Sequence, residues 1–464
     1  MTNTAKLNKD ILTTRVTDFA QMKKLIWLYF ILLIFEGALR KWILPGLSDV
    51  LLIVRDPVAL YILIKAAKHN IFINNPYFVA AAIISVISFF TAFFFGHGNM
   101  VVATFGIRIM LLHFPLIFVI GRVFNHDDVL QVGKVLLLMA PFMAVLIGLQ
   151  FYSPQYAWVN RGLRGSLEGA GFAGANGYMR PPGVFSFTSG NSAFWGLVGA
   201  YLFYFWLHAK RIKQSTLIIV TASVIAAMSF SISRSLFFGL LVSVGFLLAA
   251  TARKPNYFWS IVFALIGVAV VGLLIMQFSL FNTGFDAFTS RFEQAGSAEG
   301  GLKGTLVDRF LGGMYGAIRD TPNFWGQGLG MGTNAGAKIM TGRTDFLIAE
   351  GEWGRIIGET GFVLGLGLIL VRVILSFQLI QASYTKIAKG DALPWMLMSY
   401  GLLNLLQGQW AQPTSLGFSV FTGGLVMAAL KTKRKPAPQP SVSGQTGSKG
   451  GAKKIPLEDT PSSS

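Results

Sequence analysis

The chain has 464 residues, 53% of them hydrophobic and only 13% charged, about half the charged share of a soluble globular protein. That balance excludes a soluble enzyme and a disordered chain, and the continuous apolar runs disfavour a β-barrel, whose strands alternate residue by residue. Without cysteine neither a disulfide framework nor a thiolate metal site is available, and the net charge of +19 becomes a question of membrane sidedness, with no nucleic-acid partner expected.

Residues 1–24 carry Lys6, Lys9, Arg15, Lys23 and Lys24 around Asp10 and Asp18. They lack an apolar core followed by a small-residue cleavage site, so they read as a cytoplasmic N-terminal segment rather than a cleaved signal. Apolar runs follow at 25–44, 50–66, 77–95, 101–121, 132–153, 188–208, 215–231, 235–251, 257–280, 353–381, 394–410 and 415–430. At ~20 apolar residues per crossing they predict an all-α polytopic membrane protein with about 12 transmembrane helices over 25–430. The runs 215–231 and 235–251 are short, and are candidates for tilting or merging. Basic loops at Lys65/Lys68, Arg122/Lys134, Lys210/Arg211/Lys213, Arg253/Lys254, Lys386/Lys389 and Lys431/Lys433/Arg434/Lys435 fall after every second helix. The positive-inside rule makes those loops and both termini cytoplasmic. Segments 154–187 and 281–352 then lie outside, in the periplasm of a bacterial cell. Residues 431–464, rich in Pro, Ser, Gly and Lys, read as a disordered basic cytoplasmic tail.

Arginine and lysine divide unequally between the two sides. The outer or membrane set holds Arg40, Arg55, Arg108, Arg161, Arg164, Arg180, Arg234, Arg291, Arg309, Arg319, Arg343 and Arg355 but only Lys41, Lys303 and Lys338. Arg372 sits mid-helix. A guanidinium matches carboxylate and phosphate oxygens two at a time and stays charged. An outward arginine excess therefore points to an anionic ligand, most simply a phosphate or pyrophosphate, or to pairing with Asp308, Asp320, Asp345 and nearby glutamates.

Charges inside the runs are costly, at least about 2.5–3.5 kcal/mol for a central arginine. Glu36 and Arg40 are four apart and can pair on one helix face. Arg55 and Asp56 are adjacent and need partners on other helices. These four read as structural ion pairs, and Arg108 as the same or as a cavity lining. Arg234, in SISRS, stands at an outer helix junction with no acidic residue within fifty positions on either side. It is a ligand candidate.

In the first outer loop Arg180 precedes Pro181 and Pro182, which stiffen the chain before the next helix. Ser189 and Asn191 are N-cap types whose plain role is helix initiation. In the second, Val307, Phe310, Leu311, Met314, Tyr315 and Ile318 mark an amphipathic helix. GQGLGMG has no preceding strand and no βαβ unit, so a dinucleotide fingerprint is rejected. EGEWGRIIGETG then places Glu350 at the outer end of a helix on which Glu352, Arg355 and Glu359 share a face. Those three read equally as a salt-bridge ladder and as functional groups. Glu350 reads as a general base. His69, His97, His113, His126 and His208 show no metal-ligand spacing.

These residues carry a resemblance to the O-antigen ligase and O-antigen polymerase superfamily of bacterial inner-membrane proteins. RPPGVFSFTSGN resembles that family's Arg-then-Gly-x-Phe segment, though without its Pro-Asn. SISR resembles its Ser-Arg at an outer helix junction. GQGLGMG followed by EGEWGRIIGETG resembles its Gly-rich stretch before a His-Asn entrance and a Glu-x-Gly. The opening EGALRKW and LSDVLLIVRDP are similar to a subgroup. The resemblance implies inverting, metal-independent glycosyl transfer that needs no cofactor. The donor would be an undecaprenyl-pyrophosphate-linked glycan and the acceptor a sugar or lipid-linked glycan, with the lipid bilayer as the medium. It implies that Arg180 and Arg234 bind the pyrophosphate, that Glu350 stands where the family has histidine, and that Glu359 is the Glu-x-Gly glutamate. Glu352, Arg355 and Arg309 are supporting candidates. The competing reading is a transporter or flippase of lipid-linked oligosaccharide, although transporters favour paired repeats and midplane sites.

Overall fold

A computed structural model describes residues 2–298, 315–316, 319, 324–342 and 347–431, and is 77% helical with almost no sheet. The apolar runs fall on α1 (Thr2–Ala38), α2 (Arg55–Lys68), α3 (Pro76–Phe94), α4 (Met100–Arg108) and α5 (Leu116–Val123), and on α6 (His126–Tyr152), α7 (Thr188–Leu207), α8 (Gln214–Phe230), α9 (Arg234–Arg253) and α10 (Tyr257–Ile275). After α11 (Ser279–Ala298) and α12 (Asn334–Thr341) come α13 (Glu352–Thr360), α14 (Phe362–Ala388), α15 (Leu393–Gln407) and α16 (Pro413–Leu430). Among the described residues seven helical stretches are long and apolar enough to cross a bilayer: α3, the α4–α5 pair, α6, α9, α10, α14 and α16. The chain is an all-α membrane protein.

Local chemistry starts these helices where the sequence changes character. Asn75 and Asn99 each accept two backbone N–H bonds as N-caps of α3 and α4. Asn125 and Asp128 form a reciprocal capping box at α6, satisfying donors that the first turn leaves open. Ser233 caps α9.

Four features depart from the sequence reading. The basic N-terminal segment is not separate, because α1 begins at Thr2 and continues into the first apolar run. The runs 215–231 and 235–251 do not merge: the chain breaks between α8 and α9, with Ile232 at φ +46°. The run 353–381 is two helices, split at Gly361 with φ +79°. A Cβ there would lie 2.0 Å from the Phe324 carbonyl oxygen, so only glycine fits the crossing. The run 257–280 ends at Ile275, and a second helix, α11, follows. Arg309, most of the amphipathic helix expected near 307–318, and the tail from 432 lie outside the described residues.

Helix α7 is buried along almost its whole length and packs against α6, α8, α9, α10, α15 and α16. Such all-round burial is why it is apolar on every face. The lysine-bearing loops meet at one end of the bundle: Lys65 and His69 bind Asp18, Lys23 binds Asp128, and His126 binds Asp391. Lys431 donates to the carbonyls of Arg122 and Phe124 there. The N-terminus of α7 lies at the other end, with the last turns of α1 and α6 and the first turns of α2 and α16. The segment 154–187 covers that end and contains a hairpin of β1 (Phe172–Ala175) and β2 (Tyr178–Arg180), paired Phe172 to Arg180. Its turn is Asn176-Gly177, both at positive φ, as a tight two-residue hairpin requires.

Candidate functional site

Two buried ion networks frame this end. In the first, Arg355 Nε and Nη2 donate to Glu352 at 3.0 and 2.9 Å, and Nη1 donates to Glu359 at 2.6 Å. Arg372, on α14, adds 2.7 Å to Glu352 and also donates to the carbonyls of Leu405 and Gly408. Glu359 accepts the Gly332 N–H at 2.8 Å, and Gln327 and Gly328 donate to the carbonyls of Gly358 and Glu359. The glycine-rich stretch is therefore a clasp on the end of α13. Gly326, Gly328 and Gly330 all have positive φ, which explains the glycine spacing without a nucleotide. Glu352, Arg355 and Glu359 do share a face, as their spacing requires, and their polar atoms are occupied with one another. Arg372 is the partner that sequence reasoning missed, since it lies on the next helix and shows no local pairing signal.

In the second network Glu36 binds both Arg40 (3.3 Å) and Arg55 (3.1 Å). Arg55 also donates to Tyr29 Oη and to the Pro413 carbonyl. Asp56 holds Arg108 at 2.9 Å and His113 at 3.1 Å. The Arg108 contact is an ion pair by distance without hydrogen-bond alignment. The four charges predicted to pair do so, and Arg108 and His113 on the fourth apolar run, the α4–α5 stretch, extend them.

Between these networks lies the N-terminus of α7, which has no side-chain cap. Ser189 and Asn191 do not cap it: Ser189 donates to Gln412 Oε1 at 2.9 Å and Asn191 to the Pro181 carbonyl at 3.1 Å. Arg180, delivered by β2, reaches Thr188 Oγ1 at 3.5 Å. Arg234 begins α9 directly after Ser233, whose hydroxyl is 2.9 Å from Ser192 Oγ on the first turn of α7. Arg234 is half-buried and engaged by a neighbouring group, so it is not the isolated cation its sequence surroundings suggest. Ile232, two residues earlier, is a β-branched residue in left-handed backbone, which costs energy. Such strain clusters at functional sites. Glu350 is exposed. Its backbone carbonyl accepts from Gln409 Nε2 at 2.8 Å, Gln409 Oε1 accepts from Gln412 at 2.9 Å, and Gln412 accepts from Ser189. One polar line thus ties the Glu350 segment to the α7 turn that neighbours Arg180 and Arg234.

On the other flank of the same turn is a cavity of about 300 Å³. Arg40, Arg108, Arg164 and Lys338 line it, with Glu36, Asp49, Ser48, Ser189 and Gln412 and the rings of Phe105 and Phe187. Arg180, Arg234 and Glu350 are not among its lining residues. At the cavity's edge Asp49 binds both Arg164 and Lys338. The Arg164 hydrogen bond holds the Asp49 carboxyl below the usual carboxylate range, so it is charged at neutral pH. Arg164 itself has φ +60°, so with Ile232 and Asn176 it is one of three non-glycine residues in left-handed backbone at this end among the described residues. Nothing in the sequence singled out the cavity, because its walls come from six separate segments. The Asn-Gly turn was the one overlooked local signal, since it fixes the hairpin that presents Arg180. No known protein family and no curated protein matches this sequence significantly.

Proposed function

We propose that this protein transfers a glycan from an undecaprenyl-pyrophosphate donor to a sugar acceptor at the periplasmic face of a bacterial inner membrane. It would act as a polysaccharide polymerase or an O-antigen-type ligase. Both termini and the lysine-bearing loops face the cytoplasm in this reading. The observation that carries it is the gathering of Arg180, Arg234 and the Glu350 segment around one uncapped helix start, at the arginine-rich end of the bundle.

In this reading Arg180 and Arg234 engage the pyrophosphate oxygens and stabilise their charge as the anomeric C–O bond breaks. Glu350 takes the proton of the acceptor hydroxyl as its oxygen attacks the anomeric carbon from the opposite side. The Glu352–Arg355–Glu359–Arg372 network keeps α13 in place and touches no substrate.

A deletion strain and the variants Arg234→Ala and Glu350→Gln test this together. Both variants should reach the membrane at normal level and abolish polysaccharide assembly. Full activity in either removes that residue from the mechanism. In the deletion strain, single repeat units on the acceptor mean polymerase, and long chains held on undecaprenyl pyrophosphate mean ligase. Lipid-linked units accumulating on the cytoplasmic face mean a flippase, and the transferase reading falls.

A further inference from the structure

We propose that the cavity beside α7 is a subsite for an acidic sugar, and that it selects the acceptor of the transfer reaction. The proposal rests on the transferase reading for the word acceptor; the ligand chemistry follows from the cavity alone.

The first observation is charge. Around the cavity Arg40, Arg55, Arg108, Arg164 and Lys338 face Glu36, Asp49 and Asp56. Arg40, Arg55 and Arg108 are largely buried with Glu36 and Asp56, an excess of one, and Arg164 and Lys338 add one more around Asp49 at the exposed mouth, with histidine neutral. A buried excess is unfavourable unless an anion completes it.

The second is unsatisfied hydrogen bonding. Ser48 is 1% exposed, lines the cavity, and its Oγ has no partner among the described residues. Arg40 is 5% exposed. Its Nε and Nη1 hold Ser48 O, Glu36 and Ser186, which leaves Nη2 without a hydrogen bond among the described residues. Buried polar groups are normally paired, so the unpaired Ser48 hydroxyl beside the Arg40 guanidinium marks a place for ligand oxygens.

The third is the shape of the remaining wall. Phe105 and Phe187 add apolar surface to the same lining. At about 300 Å³ the space is at the small end of ligand pockets, suited to a sugar ring rather than a lipid chain. A ring with one acid group, a uronate carboxylate or a sugar phosphate, meets all three conditions. The mouth supplies selectivity: Asp49 already occupies Arg164 and Lys338, so an incoming acid must compete with it.

The test uses the full-length protein in detergent, titrated calorimetrically with glucuronate, glucose and inorganic pyrophosphate. Glucuronate should bind roughly tenfold or more tightly than glucose, as a charge-assisted hydrogen bond implies. Arg164→Gln should weaken glucuronate several-fold, and Asp49→Asn should tighten it several-fold by removing the competing carboxylate. Both side chains are more than half exposed, so both variants should fold. Equal binding of glucose and glucuronate overturns the subsite, as does a lack of opposite effects from the two variants. If pyrophosphate binds more tightly than glucuronate and follows the same two variants, the cavity holds the donor's phosphates and the acceptor assignment falls. Failure of the strain experiment above overturns the transferase reading while leaving these binding results intact.

Discussion

At the lysine end of the bundle, ion pairs keep contact with water: Lys65 and Asp18, which also meets His69, keep 12% and 17% of their side-chain surface, and Lys23 keeps 36%. At the arginine end, carboxylates are shared. Glu36 serves two arginines, Glu352 serves two, and the Arg372–Glu352 pair is 1% exposed on both sides. The difference follows from the side chains. A lysine ammonium is a compact, strongly hydrated charge that suits a loop in water, whereas a guanidinium offers a planar fork able to bridge several acceptors in a dry interior. Arginine counting by side thus detected burial. Arg55, Arg355 and Arg372 belong to the scaffold, whereas Arg40, Arg108, Arg164, Arg180 and Arg234 stand at the cavity or the start of α7.

Substitutions can sharpen or break this contrast. The largest effect should come from Arg372→Ala, which leaves buried Glu352 with one cation and frees the Leu405 and Gly408 carbonyls. Loss of one partner of a buried pair costs about 3–5 kcal/mol, and the thermal unfolding midpoint in detergent should fall sharply. Arg40→Ala should cost somewhat less, about 3 kcal/mol on the same reasoning, because Arg55 still holds Glu36; it should appear as reduced abundance in membranes. Normal abundance would contradict its structural role. Gly417→Ala should cost about 1–3 kcal/mol by overpacking. A Cβ there would lie 2.1 Å from Arg55 Nη1, part of a guanidinium held by three acceptors, Glu36, Tyr29 and the Pro413 carbonyl. Lys65→Ala at the opposite end should move the midpoint least, because Asp18 keeps contact with water and with His69. If its midpoint dropped as far as that of Arg372→Ala, the contrast between the ends would be wrong.

The all-helical membrane architecture was legible because continuous apolar runs have one compact solution in lipid, where every backbone group must be bonded within the segment. The Glu36–Arg40 pair and the Glu352–Arg355–Glu359 face were legible because both obey helical spacing. The break at Gly361 was not, since GETGFVLG continues the apolar pattern through it; a crossing by the Phe324 carbonyl, not local preference, forces the turn. Arg372 and His113 were invisible as partners because their contacts join different helices. The cavity was beyond reach for the same reason, as was the connection of Glu350 to Ser189 through Gln409 and Gln412.

Arg55 donates to the Pro413 carbonyl at 2.7 Å, and those residues are separated by most of the chain. During synthesis, the second helix is made carrying a guanidinium whose final acceptor does not yet exist. Glu36 can shelter it in the meantime, but the arrangement closes only when the last helix arrives. A truncated product lacking α16 would thus leave an incomplete charge cluster inside the bundle, a mark by which proteolytic surveillance could tell unfinished chains from finished ones.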